Sequence, residues 1–146
     1  MGYTHYWENN ANVIPVEAIL IIREIVDQAY AGGVIQVEHN RTGLPIVTER
    51  LIRFNGVGEL GHETFRFDVD DVYRTHEGHH FAFCKTNQKP YDAVVMKVLI
   101  VLKWALKELV TIRSDGSFNE EWQAVRDEMS ARYRIHTYVN EELTVE

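Results

Sequence analysis

Phe83-Cys84-Lys85-Thr86-Asn87-Gln88-Lys89-Pro90-Tyr91-Asp92 joins a strand pattern to a helix pattern. Before it, His80–Thr86 alternates as a strand does. After it, Pro90 to about Val110 forms the longest helical run, with Val94, Val95, Val98, Leu99, Ile100, Val101, Leu102, Trp104 and Leu106 leaving little polar face. A helix so apolar lies centrally or in a subunit contact, and a homo-oligomer is expected on this ground. Pro90 suits a first helical position and Asp92 complements the helix dipole. The first turn of a helix offers unpaired N–H groups and a positive dipole end. Lys85 and Thr86 at the strand end, with Tyr91 in the helix opening, therefore mark an anion-binding corner.

Working outward, Tyr3–Glu8 reads as an aromatic strand, and Val16–Ala31 as a helix closed by Gly32-Gly33. Val34–Glu38 reads as a short strand and His39–Pro45 as a loop. Arg50–Phe54 and Glu63–Phe67 are strands joined by a Gly-rich turn, and Asp68–Gly78 is a polar loop. Ser114-Asp115-Gly116 is a turn. Ser117 and Glu120 fit a capping box for a helix over 118–132, and Ile135–Val139 closes the chain as a strand. The order predicts one α+β domain spanning residues 1–146: a mostly antiparallel sheet with about three helices packed on it.

The 146 residues are 45% hydrophobic, enough for a core, and carry a net charge of −7. Proteins that bind long nucleic acids show basic surfaces, so that partner is not expected. Cys84 is the single cysteine, which excludes an intrachain disulfide and predicts a reducing, cytoplasmic setting. The N-terminus carries no secretory pattern, and Ala93–Leu102, interrupted by Lys97, is too short to span a bilayer.

Strand alternation sorts the polar residues by face. Glu63 falls with Phe65 and Phe67, and Lys85 with Phe81 and Phe83. Either the two form a structural pair, or they sit at strand ends that leave the core, or, if the strands are neighbours, both line a half-apolar pocket and meet a polar ligand. Tyr3, His5 and Trp7 share one face of the first strand, and Thr4, Tyr6 and Glu8 the other. Aromatic rings with polar tips suit stacking on a base. Asn55 offers both donor and acceptor, and Thr64 a hydroxyl. The ligand-contact set is thus Tyr3, His5, Tyr6, Trp7, Asn55, Glu63, Thr64, Lys85, Thr86 and Tyr91.

The catalytic and metal signals are thin. His76, His79 and His80 with Glu77 lack the helical spacing of a zinc site, so no metal or cofactor is expected. Cys84, with no neighbouring histidine, reads as a packed small residue. Gly56-x-Gly58-x-x-Gly61 lies between strands rather than before a helix, which excludes a dinucleotide fingerprint. One enzymatic reading survives, a hydrolase of a nucleotide or glycosidic bond with Glu63 as general acid and Asp92 as second carboxylate. A protein–protein inhibitor or structural module without a small-molecule site is the other alternative.

Met1-Gly2-Tyr3-Thr4-His5-Tyr6-Trp7, Phe54-Asn55-Gly56-Val57-Gly58, His62-Glu63-Thr64-Phe65, Phe83–Asp92 and Ser114-Asp115-Gly116 together resemble a family of small proteins of bacteriophage and bacterial genomes. The resemblance implies a phage context. There, small acidic proteins without catalytic motifs act as inhibitors of host defence, among them sponges that sequester a cyclic-nucleotide or ADP-ribose-type immune signal without cleaving it. By that analogy the aromatics would stack on bases, Lys85 and Thr86 would meet phosphate, and Asn55 and Glu63 would meet base or ribose edges.

Overall fold

A computed structural model describes residues 2–37, 43–70, 80–140 and 142–146. Among these, nine strands and three α-helices form an α+β fold in which every strand pairing is antiparallel. The single expected sheet divides into three. β1 (Thr4–Asn9) is the centre of one, between β6 (His80–Lys85) and β7 (Val110–Ser114). β4 (Leu51–Gly56) organises the second, pairing with β2 (Ile35–Gln36), β3 (Ile46–Val47) and β5 (Phe65–Asp68). β8 (Thr137–Asn140) and β9 (Glu142–Val145) pair as the third.

Helix α1 covers Val16–Ala31, as its pattern predicts. α2 runs over Asp92–Leu106, short of the expected Val110. Lys107 ends it with φ +52°, and Val110–Ser114 becomes β7, a strand the sequence reading missed. α2 packs against α1, α3 (Gln123–Tyr133) and β7. Its residues Val94–Met96 and Val98–Lys103 are all buried inside one chain, so its apolarity does not call for a second copy.

The capping box before α3 is displaced by one residue. Glu121, not Glu120, reaches back to the Ser117 N–H at 2.8 Å, and a turn over 118–122 precedes the helix. Arg134 ends α3 in the left-handed region, with Ile135 N–H bonded to the Met129 carbonyl, a Schellman closure.

The glycine string begins at the last residue of β4 and runs into the loop that leads to antiparallel β5. There Gly56 and Gly61 bring two backbones together: a Cβ on Gly56 would stand 2.3 Å from the Leu60 carbonyl oxygen. Close approach, not phosphate binding, accounts for these two glycines. The His76/Glu77/His79 cluster lies outside the described residues. No described helix is long and apolar enough to cross a membrane.

Candidate functional site

The register of β6-β1-β7 builds two unlike faces. Tyr6 stands opposite Phe83 on one side and Arg113 on the other, and Glu8 stands between Phe81 and Thr111. Thr4 pairs with Lys85. The period of two puts all of these on one side of the sheet. That side is open: Phe81 is 43% and Phe83 54% exposed. The Tyr6, Phe81 and Phe83 rings form a triangle with centroid separations of 6.3–6.5 Å. The Tyr6 hydroxyl donates to Asp115 Oδ1 at 3.2 Å, and Asp115 Oδ2 accepts the Thr4 N–H. Beside the rings, Tyr6, Glu8, Phe81, Thr111 and Arg113 border a depression of about 10 Å³, room for one water at most. This face is a platform rather than a pocket.

The inner face carries a buried polar chain. His5, fully buried, pairs in register with Ser114 and lies edge-on between the Tyr3 and Trp122 rings. Its Nδ1 is 2.8 Å from Ser114 Oγ and its Nε2 2.6 Å from Asp92 Oδ1. Ser114 Oγ also accepts from Trp122 Nε1 and Gly116 N, both at 3.0 Å. With both lone pairs so used, the hydroxyl hydrogen is left for His5 Nδ1. The imidazole then carries its proton on Nε2 and donates to Asp92. Thr86 Oγ1 donates to the same Asp92 oxygen at 2.5 Å.

The connectivity is that of a Ser-His-Asp triad, but its chemistry differs. Attack needs a free lone pair on the nucleophile. Here both are held by N–H donors, and the array ties β1, β7 and the start of α2 together instead. Beside it the buried Tyr3 hydroxyl lies next to Ser114 but makes no hydrogen bond of ordinary length among the described residues. Burial, then the nearby Asp92 carboxylate, pushes that phenol up to about 12. A Cβ on Gly116 would lie 2.0 Å from the Tyr3 oxygen, so only glycine fits there.

The strand-to-helix corner spends its donors internally. Thr86 N–H and Asn87 N–H both donate to the Tyr3 carbonyl, and Asp92 N–H donates to Lys89. Asp92 itself stands in the first turn as the helix's own carboxylate. Asn87 and Gln88 both take positive φ, +54° and +57°. Asn tolerates that region and Gln resists it, so strain is stored at this turn.

The expected half-apolar pocket around Glu63 and Lys85 does not form. Alternation placed Lys85 rightly with Phe81 and Phe83, but Glu63 precedes β5 and does not share the face of Phe65 and Phe67, and the two aromatic pairs belong to different sheets. Phe65 and Phe67 are core residues packed on Trp7, whereas Phe81 and Phe83 face outward. Glu63 is exposed, in the loop before β5, and its Oε1 accepts the backbone N–H of Lys85 at 2.7 Å. Its environment is therefore not the apolar one a general acid would need, and Asp92 is held by His5 and Thr86.

The remaining ligand candidates sit inside the molecule. Buried Asn55 uses its whole amide: Nδ2 donates to the His62 carbonyl and Thr64 Oγ1, and Oδ1 accepts from Gly56 and His62 N–H groups. Buried Tyr91 donates to the Glu63 carbonyl at 2.5 Å, and burial raises its hydroxyl well above an ordinary phenol. Cys84 is fully buried, and burial pushes its thiol up to about 12, which fits a packed residue and not a nucleophile. Trp7 is core.

Of the ten, then, Tyr6 and Lys85 stand on the open sheet face. His5 and Thr86 belong to the buried chain, and the Tyr3 ring packs edge-on against His5 beside it. Asn55, Thr64, Glu63 and Tyr91 brace the β4–β5 loop. Phe81, Phe83 and Arg113 complete the platform, and Ser114 and Trp122 complete the buried chain, without having been singled out as contacts. The alternation of His80–Lys85 already held the signal for the two phenylalanines. Ser114 gave none beyond its turn motif. Among the described residues no group of histidine, cysteine and acidic side chains is placed to hold a metal. No family model, curated protein or solved structure matches this chain.

Proposed function

We propose that this protein binds and sequesters a nucleotide-derived signal, of the cyclic dinucleotide or ADP-ribose class, without cleaving it. The observation that supports the reading is the open β6-β1-β7 face, where Tyr6, Phe81 and Phe83 stand together beside Lys85 and Arg113. Solvent-facing rings on a sheet are stacking surfaces for bases, and each stacked base contributes roughly 1–3 kcal/mol. Two cations at the flanks give phosphates a partner despite the net charge of −7. Binding without cleavage accords with a Ser114 whose lone pairs are occupied and a Glu63 committed to backbone.

The same exposed rings suit a protein partner, which is the second reading. Calorimetric titration with a cyclic dinucleotide and with ADP-ribose separates the two. Saturable binding, weakened at least fivefold in Phe83→Ala, and intact ligand recovered after heat denaturation are the expected results. Cleaved product would sink sequestration in favour of a hydrolase. No binding of either class would favour the protein partner.

A further inference from the structure

At the far end of α2, an open cleft of about 460 Å³ lies between the helix's last turn, β7 and β9. That is the size of a small-molecule site. Lys103, Lys107, Glu108, Thr111, Glu142 and Thr144 line it.

Lys103 is the anomaly. It lines the cleft yet is only 6% exposed. Its ammonium donates to the Val110 carbonyl at 2.7 Å and the Lys107 carbonyl at 3.0 Å. An ammonium has three donors. Among the described residues the third finds no acceptor, and no carboxylate pairs with the charge. The two carbonyls and the negative end of the helix dipole offset part of the cost. They leave one N–H and a net positive charge at the wall of an open cleft, where a ligand's anionic group can compete with water for them.

The rest of the lining says what would answer it. Lys107 is a second cation; its ammonium gives one bond, to the Trp104 carbonyl, and keeps two donors. Its φ of +52° is strained backbone held at the cleft wall. Glu108 and Glu142 supply two negative charges, so the lining is balanced overall. A polyanion would meet the carboxylates, and a simple cation would meet the lysines. A zwitterion satisfies both, and the Thr111 and Thr144 hydroxyls add neutral partners.

We propose that this cleft binds a small α-amino acid, its carboxylate on Lys103 and Lys107 and its ammonium on Glu142 and Glu108. The cleft adjoins the aromatic platform at Thr111, which borders both, but its four charged residues lie outside the platform, and neither reading depends on the other.

The test is a ¹H–¹⁵N NMR titration of the whole protein with the common L-amino acids, alongside L-lactate, which lacks the ammonium, and L-alaninamide, which lacks the carboxylate. At least one amino acid should shift amides of residues 103–111 and 142–145, with lactate and alaninamide at least tenfold weaker. Lys103→Met should weaken that binding at least tenfold. Because Lys103 also caps α2, Glu142→Gln serves as a second variant that leaves the cap intact. It should weaken amino-acid binding at least threefold without changing the melting temperature. Lactate binding as well as the best amino acid, or no shift with any probe, would overturn the proposal. The second result would leave Lys103 as a helix cap alone.

Discussion

Truncating Ser114 to alanine tests whether the buried Ser-His-Asp chain is a strut. Ser114 Oγ is the shared partner of three groups: His5 Nδ1 at 2.8 Å, Trp122 Nε1 at 3.0 Å and Gly116 N at 3.0 Å. His5 and Trp122 are both fully buried. The methyl that replaces the hydroxyl can satisfy none of them. An unsatisfied buried donor or acceptor costs about 1–3 kcal/mol, so three at the low end give about 3 kcal/mol. That is a large fraction of the roughly 5–15 kcal/mol by which a domain is stable. Urea unfolding followed by tryptophan fluorescence reads it, since Trp122 is itself a reporter. The midpoint should fall with the slope unchanged. Ser117→Ala is the control. Its hydroxyl accepts a single exposed bond, from Asn119 N–H, and its loss should cost well under about 1 kcal/mol. A loss below about 1 kcal/mol in Ser114→Ala, or a gain, would refute the strut. A gain is what trimming a strained catalytic group often produces.

Two further outcomes follow from the backbone and the buried acids. Gln88→Gly should stabilise the protein by about 1 kcal/mol in the same assay, because glycine takes φ +57° without strain; a destabilised variant would show that the turn is held by the Gln88 side chain. Tyr3 and Cys84 bind their protons more tightly folded than unfolded, with values raised from 10.0 and 9.0 to about 12. Their contribution is therefore complete below about pH 9 and is lost as the pH rises through about 12. Stability measured by urea titration should fall over that window, and less steeply in Cys84→Ala; a flat profile from pH 9 to 11 would contradict the buried placement of both groups.

The sequence made the two-faced strands legible and left their pairing dark. Alternation put Phe81, Phe83 and Lys85 together, and Tyr3, His5 and Trp7 together, because a strand's period is fixed by its backbone. It could not say which face meets the core. On β6 the small Cys84 points inward and two phenylalanines outward, against the usual weighting of ring over thiol. β7 was missed because Val110–Ser114 follows an apolar helix with no glycine or proline between them. Lys107 makes the break in a conformation that its residue type does not advertise. Without β7, the bond from His5 to Ser114, 109 residues apart, had no local sign. Glu63 and Lys85 were placed in one pocket because both sit beside aromatic pairs. The division into separate sheets, set by long-range register, puts one pair in the core and the other in solvent.

The most direct test of the central claim is calorimetric titration of ADP-ribose and a cyclic dinucleotide into the wild-type protein and into Phe83→Ala and Lys85→Ala. Phe83 and Lys85 lie on the open face, so neither change should lower stability by more than about 1 kcal/mol. One ligand class should bind the wild type, and both variants should bind it at least fivefold more weakly, with the ligand recovered intact. Equal affinity in all three proteins, or ligand recovered in pieces, would contradict it.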